Sequence, residues 1–214
     1  MGVQRGGPFS GFVNKVGNLV GSTWRTLDVI RARPKISNKP KTQAQLDQQA
    51  KFRLATSILA PLGELIEVGF KAESGVSTPM NVAVAENLKY AITGSSPNFS
   101  FDYEKLQFSK GTLKGAQGLE VSTVAGYKMK FSWLSQFETK WDSQSDLVTL
   151  LMYCPALDRW ALLKDAAPRS AKTYTFQMPA SFGGQEIMCF VSLTSKLVRN
   201  RVSDTQFIAT LVAI

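Results

Sequence analysis

LVTLLMYCPALDRWALL, residues 147–163, holds two apolar runs, Leu147 to Cys154 and Arg159 to Leu163, joined by Pro155-Ala156-Leu157-Asp158. Each run has the length of a strand, and a proline and an aspartate in a four-residue connection favour a chain reversal. The pair reads as an antiparallel hairpin. Working outward, further strands are expected at about 105–108, 119–124, 128–133, 172–177, 186–193 and 207–214, separated by glycine, proline and aspartate turns. Several short strands at spacings of about ten residues or a little more point to an immunoglobulin-like antiparallel β-sandwich over residues 98–214.

Upstream of Gly94-Ser95-Ser96-Pro97 the periodicity is helical. Thr42-Gln43-Ala44-Gln45 has the form of a capping box, and Leu46, Ala50, Leu54 and Ile58 recur at spacing four. Pro61 kinks or restarts that helix, Leu62 to Phe70 continues it as a second short piece, and Met80 to Thr93 forms another. Residues 42–97 therefore read as a helical segment.

Residues 1–41 differ from both. Met1 to Gly11 carries four glycines and Pro8, which oppose both helix and central strand, so it reads as an extended arm. A strand across about Asn18 to Trp24, a turn near Arg25 to Leu27 and a returning strand across Asp28 to Arg33 form a β-ribbon. On its second strand Val29, Arg31 and Arg33 share one face. The fold class is thus α+β: arm, ribbon and helices, then a sandwich.

Charge is concentrated at the same end. Met1 to Thr56 has ten basic and two acidic residues, a balance of +8, whereas the whole chain of 214 residues, with 25 basic and 16 acidic, stands at +9. Apolar residues make up 44% of the chain, enough for a sizeable core, but no run is long enough to span a bilayer and no signal peptide is evident. The expected location is the cytoplasm or the inside of an assembled particle.

The chain contains no histidine and only Cys154 and Cys189. Nucleophile systems that need an imidazole base are excluded, as are tetrathiolate metal sites, and the two thiols are expected to be free and buried. Asp102 with Glu104, Asp142 with Asp146 and Asp158 with Asp165 are close in sequence, yet each pair sits in a polar turn where acids ordinarily face water. Asp142, Ser143 and Asp146 lack the oxygen density of a calcium loop. Trp133, Phe137 and Trp141 could form a ligand platform, although packing is the commoner fate of such rings. Gly183-Gly184 reads as a turn, not a phosphate loop. No enzyme, cofactor or metal is expected.

Two binding surfaces remain. Pro8, Phe9, Phe12, Val13, Val16 and Trp24 are candidates for an assembly arm through which the chain would join copies of itself into an oligomer, filament or virion-like shell. Arg25, Arg31, Arg33, Lys35, Lys39 and Lys41 are candidates for tracking the phosphates of a nucleic acid, with Trp24 available to stack on a base. The same cations could instead form a solvated surface or dock on an acidic patch of a neighbouring subunit. No membrane partner is expected.

The wording GPFSG…VG..VGSTW at Gly7 to Trp24, DVIRARP at Asp28 to Pro34, NKPKTQAQLDQQAKF at Asn38 to Phe52 and MYCP…W at Met152 to Trp160 resembles an uncharacterised bacterial family of about this length. The family is a domain of unknown function, so the resemblance implies no activity and no catalytic residues. It implies that Met1 to Ile214 is a complete protein.

Overall fold

Four short antiparallel strands occupy the N-terminal segment: β1 (Gly2–Gln4), β2 (Asn14–Val16), β3 (Leu19–Trp24) and β4 (Leu27–Ala32), in the order β1-β4-β3-β2. The computed structural model describes residues 2–4, 11–24, 27–35, 39–134 and 143–213. It divides into two compact units, Met1–Thr42 and Gln43–Ile214. In the first, Gly17 at φ +57 supplies the left-handed turn that reverses β2 into β3. The Arg33 N–H donates to the Asn18 carbonyl at 2.8 Å and extends the β3–β4 pairing past the last strand residue. The β3–β4 ribbon lies where the sequence placed it. A two-stranded ribbon is marginal alone, and here both flanks are paired: part of the expected arm forms β1 on β4, and β2 adds to β3.

The second unit opens with α1 (Gln43–Leu59), a 3-10 turn at Ala60–Leu62 where Pro61 interrupts the helix, α2 (Gly63–Gly69) and α3 (Pro79–Tyr90). Thr78 caps α3 by accepting from the Asn81 N–H at 3.2 Å, and Pro79 fills the first turn, where its missing donor costs nothing. The buried line of α1 is Ala55 and Leu59, whereas Leu46 stays 44% exposed. The expected apolar face is therefore displaced, because the first two turns of α1 run past the core. Their Gln43, Asp47 and Lys51 side engages a hairpin instead: the Ser96 hydroxyl donates to Asp47 Oδ1 at 2.8 Å, and Lys51 Nζ lies 4.6 Å from the Phe99 ring centroid.

That hairpin is β5 (Ile92–Ser95) and β6 (Asn98–Phe101), so Gly94 to Pro97, read as a boundary, lies within a β-turn region of the second unit. Residues 105–108, expected as a strand, begin at the end of a 3-10 turn, Tyr103–Lys105, and are anchored by side chains: Asn87 Oδ1 accepts from the Gln107 N–H at 3.0 Å, and Thr205 Oγ1 accepts from the N–H groups of Phe108 and Ser109 at 3.0 and 2.9 Å.

Seven strands build the sandwich: β7 (Gln117–Val124), β8 (Lys128–Leu134), β9 (Leu147–Cys154), β10 (Arg159–Pro168), β11 (Thr173–Gln177), β12 (Glu186–Thr194) and β13 (Gln206–Val212). They form a three-stranded antiparallel sheet, β11-β8-β7, and a four-stranded one, β10-β9-β12-β13. Residues of both sheets share one core, which includes Met129, Phe131 and Trp133 of β8 with Val148, Leu150, Met152 and Cys154 of β9. This 3 + 4 division with its strand order is an immunoglobulin-like arrangement.

The four-stranded sheet is buried on its other face as well. Leu151, Tyr153 and Phe190 join Ala55, Leu59, Leu62, Ile66, Phe70 and Ala83 of the helices in a second core. A sheet covered on both faces explains why β9 is a continuous apolar run and not an alternating one. It also explains why the helical segment and the sandwich fall in one unit. Cys154 and Cys189 are free and buried.

Candidate functional site

The N-terminal sheet holds most of the residues that the sequence singled out. Its register sorts them onto two faces, because residues opposite each other in antiparallel strands project to the same side. Lys15, Val20 and Arg31 form one row across β2, β3 and β4, on the face that also carries Ser22 and Val29. Val16, Leu19 and Ala32 form a row on the opposite face, together with Gly21 and Ile30. The Phe12 ring and carbonyl lie directly over Gly21, where any side chain would collide, so glycine is what allows that approach. The first face thus carries two cations, Lys15 and Arg31, beside Val20 and the buried Val29; the second carries Val16, Leu19, Ile30 and Ala32, with Asn14, Thr23 and Asp28 on the same side.

Neither large core includes a described residue of this unit. Among its described residues only Gly21 and Val29 are buried, while Val13 is 54% exposed, Val16 62% and Leu19 44%. Of the candidate assembly residues, Phe12 is half-buried against Gly21, Val13 and Val16 are exposed, and Trp24 ends β3. Pro8 and Phe9, and the Trp24 side chain, lie outside the described residues. Leu19 and Ile30 were not singled out by sequence; the register that aligns them with Val16 and Gly21 is a tertiary property.

Of the candidate phosphate-binding residues, Arg31, Arg33 and Lys35 are exposed. Arg33 and Lys35 line an open depression with Asn18, Ala32 and Pro34. Arg31 is in β4, whereas Arg33 follows the end of that strand, so the expected three-residue line reduces to Val29 and Arg31 within the sheet. Lys39 and Lys41 are exposed and also make interactions within the chain. Arg25 lies outside the described residues.

The acidic candidates have structural roles. Asp102 accepts from the Glu104 N–H and pairs with Lys105 Nζ at 2.7 Å. Asp146 is buried 3.5 Å from the Arg169 guanidinium and accepts from the Ser143 N–H at 3.0 Å, so it is committed to the fold and not to a calcium ion. Asp165 occupies an irregularity of β10, its N–H donating to Thr149 Oγ1 at 3.3 Å. Asp142, Phe137 and Trp141 lie outside the described residues. Trp133, the remaining member of the expected aromatic platform, is in the sandwich core, its indole N–H donating to the Arg169 carbonyl at 2.7 Å. Gly183 and Gly184 form a turn whose N–H groups donate to Ala180 and Ala213. Among the described residues no cluster of acidic or thiol side chains suits a metal ion, and no helix is long and apolar enough to cross a membrane.

Similar proteins supply a family and distant structural likenesses. The sequence model of a family described as "Family of unknown function (DUF6266)" matches residues 10–208. No curated protein matches the chain. Among solved structures, the fibronectin type III domain of the human collagen alpha-1(XX) chain is 15% identical, with 56% of this chain and 90% of that one covered at a TM-score of 0.34. Domains FN1–FN3 of chicken contactin 1 are 8% identical, with 49% and 33% covered at 0.33. A fibronectin type III domain of human contactin 1 is 6% identical, with 50% and 83% covered at 0.33.

Proposed function

Since the chain belongs to this family of unknown function (DUF6266), no activity comes with membership, and we propose from its own surface that it is a self-assembling structural protein. Copies associate through the N-terminal sheet into an oligomer, filament or virion-like shell. The observation that carries this reading is the row of Val16, Leu19 and Ala32 on one face of that sheet, where Val16 and Leu19 stand exposed and, among the described residues of the unit, none belongs to either core.

Covering the exposed parts of Val13, Val16 and Leu19 contributes on the order of 2–4 kcal/mol at about 1.5–3 kcal/mol per fully buried aliphatic side chain. A symmetric contact counts this twice, which is comparable to the lower end of the association cost of about 4–15 kcal/mol. The three-residue edges β1 and β2 offer further backbone pairing. Reversible, concentration-dependent association follows from these magnitudes.

The test is the mass of the full chain by light scattering, compared with Val16→Lys combined with Leu19→Lys. Both positions are exposed, so the variant keeps its fold and loses assembly. A wild-type monomer at every concentration, or a variant that assembles equally well, overturns the reading.

A second reading, nucleic-acid binding, is favoured by a different observation: Lys15 and Arg31 share the other face, and Arg33 and Lys35 flank an open depression. Four such cations neutralising phosphates give a slope of log K against log salt of about −3 to −4. Loss of binding on replacing Arg31, Arg33 and Lys35 by glutamine, with a flattened salt slope, supports it; a salt-independent affinity removes it. The two readings are compatible because Lys15 and Arg31 lie on the face opposite Val16 and Leu19.

A further inference from the structure

A second surface, in the larger unit, has the makings of a ligand site. Tyr153 of β9 is the middle of three stacked rings, 4.5 Å from Tyr103 and 4.2 Å from Trp160 between centroids, at interplanar angles of 25° and 29°. Trp160 is on β10, the outermost strand of its sheet, and stands directly across from Tyr153. It is therefore the last ring of the stack, half-buried on the edge strand of its sheet. There it lines an open groove of about 510 Å³ with Asp158, Arg159, Pro61, Pro179 and Phe182 among the walls.

The carboxylate of this groove is held in place. Asp158 takes a left-handed conformation, φ 47 and ψ 48, at the end of the 3-10 turn Pro155–Leu157. Its Oδ1 accepts from the Tyr153 hydroxyl at 2.9 Å, and that hydroxyl is 3.0 Å from the hydroxyl of Tyr103. Burial, then these two hydrogen bonds, push the Tyr153 phenol well above its ordinary range, so it remains a donor to the carboxylate. Among the described residues the Arg159 guanidinium has no partner in the chain, and the Asp158 carboxylate has none besides the Tyr153 hydroxyl.

The geometry points to a binding site for a short neutral oligosaccharide. A pyranose ring presents C–H groups on its face and hydroxyls around its rim. The end face of Trp160 suits the first, and an oriented carboxylate acceptor next to a guanidinium donor suits the second. Charge argues for neutrality: Asp158 and Arg159 cancel, so neither an anionic nor a cationic polymer is selected, in contrast to the basic N-terminal sheet. The volume is that of small-ligand sites, about 300–1,000 Å³, and the exposed Pro61 and Pro179 make stiff walls. Nothing in this inference depends on the assembly reading.

The experiment is saturation-transfer NMR and calorimetry on the full chain with maltotriose, cellotriose and chitotriose, and with a deca-proline peptide as the competing class that also stacks on tryptophan. At least one trisaccharide is expected to receive saturation on its ring C–H protons. Trp160→Ala is expected to abolish this. Because that change also removes a ring from the stack, Arg159→Ala provides an independent check: its side chain is exposed and has no partner among the described residues, and its loss is expected to weaken binding by about tenfold, the effect of one charged hydrogen bond. Silence from all three sugars, affinity indifferent to both substitutions, or binding of the peptide alone overturns the proposal.

Discussion

Arg169→Met tests how the larger unit is held together. The Arg169 side chain is 2% exposed and the Asp146 side chain 0%, with 3.5 Å between guanidinium and carboxylate. Arg169 Nη2 also donates to the Lys114 carbonyl at 2.7 Å, and the Arg169 backbone N–H donates to the Asp146 carbonyl at 2.7 Å. The cluster thereby joins the turn before β9, the turn between β10 and β11, and the segment before β7. Asp146 Oδ1 is buried with no hydrogen-bond partner among the described residues, so the nearby positive charge is its main compensation.

Removing that charge strands a carboxylate away from water, at a cost of about 3–5 kcal/mol. At about 2–4 °C per kcal/mol for a chain of this size, Tm falls by roughly 6–20 °C. Replacing both partners, Asp146→Leu with Arg169→Met, removes the stranded charge and recovers most of the loss. Calorimetry and urea unfolding of the three proteins measure this. A loss below about 1 kcal/mol for the single change, or a double variant as unstable as the sum of its parts, refutes the reasoning, since either means the pair is not a desolvated, mutually dependent unit.

Two further outcomes are expected. Thr205→Val keeps the shape but leaves the buried N–H groups of Phe108 and Ser109 unpaired, costing about 2–6 kcal/mol in urea unfolding at about 1–3 kcal/mol per stranded group; an unchanged midpoint contradicts this. Burial pushes the Cys189 thiol from its ordinary value of 9.0 up to about 12, so a maleimide at pH 8 should label it only on unfolding. The raised value means the folded state keeps its proton longer. Its contribution to stability is complete below pH 9 and is lost as pH climbs toward 12, and wild type should therefore decline faster than Cys189→Ala over that interval.

The sandwich was legible because its signals are local. Apolar runs of strand length, bounded by residues such as Pro155 and Asp158, give strands whether or not their partners are known, and most expected boundaries fall within a few residues of those observed. The helices were legible for the same reason, with the break at Pro61, although the helix expected from Met80 starts one residue earlier, at Pro79, behind its Thr78 cap. What escaped depends on distant partners. β1 and β2 are three residues each, too short to show a period, and exist by pairing with the ribbon. The segment 105–108 has strand composition but finds Thr205, nearly a hundred residues away, in place of a ladder. Leu46 follows the helical repeat yet stays exposed, because periodicity reports a face and not how far along it the core extends. The candidate surface behaved likewise: its cations could be counted, but their separation from Val16 and Leu19 needed the register. Asp158 was read as a turn residue and as half of an acidic pair with Asp165, and its link to Tyr153 was invisible in sequence.

The four-stranded sheet that walls both cores makes each position's effect depend on whether its residue number is odd or even. On β9 the even positions Val148, Leu150, Met152 and Cys154 serve the sandwich and the odd positions Leu151 and Tyr153 serve the helices; on β12 the parity inverts, with Ile187, Cys189, Val191 and Leu193 toward the sandwich and Phe190 toward the helices. Truncating alternate residues along one strand should therefore loosen one layer and then the other. The backbone amides between them, sealed from both sides, should be the last in the protein to exchange with deuterium, at a rate set by global unfolding.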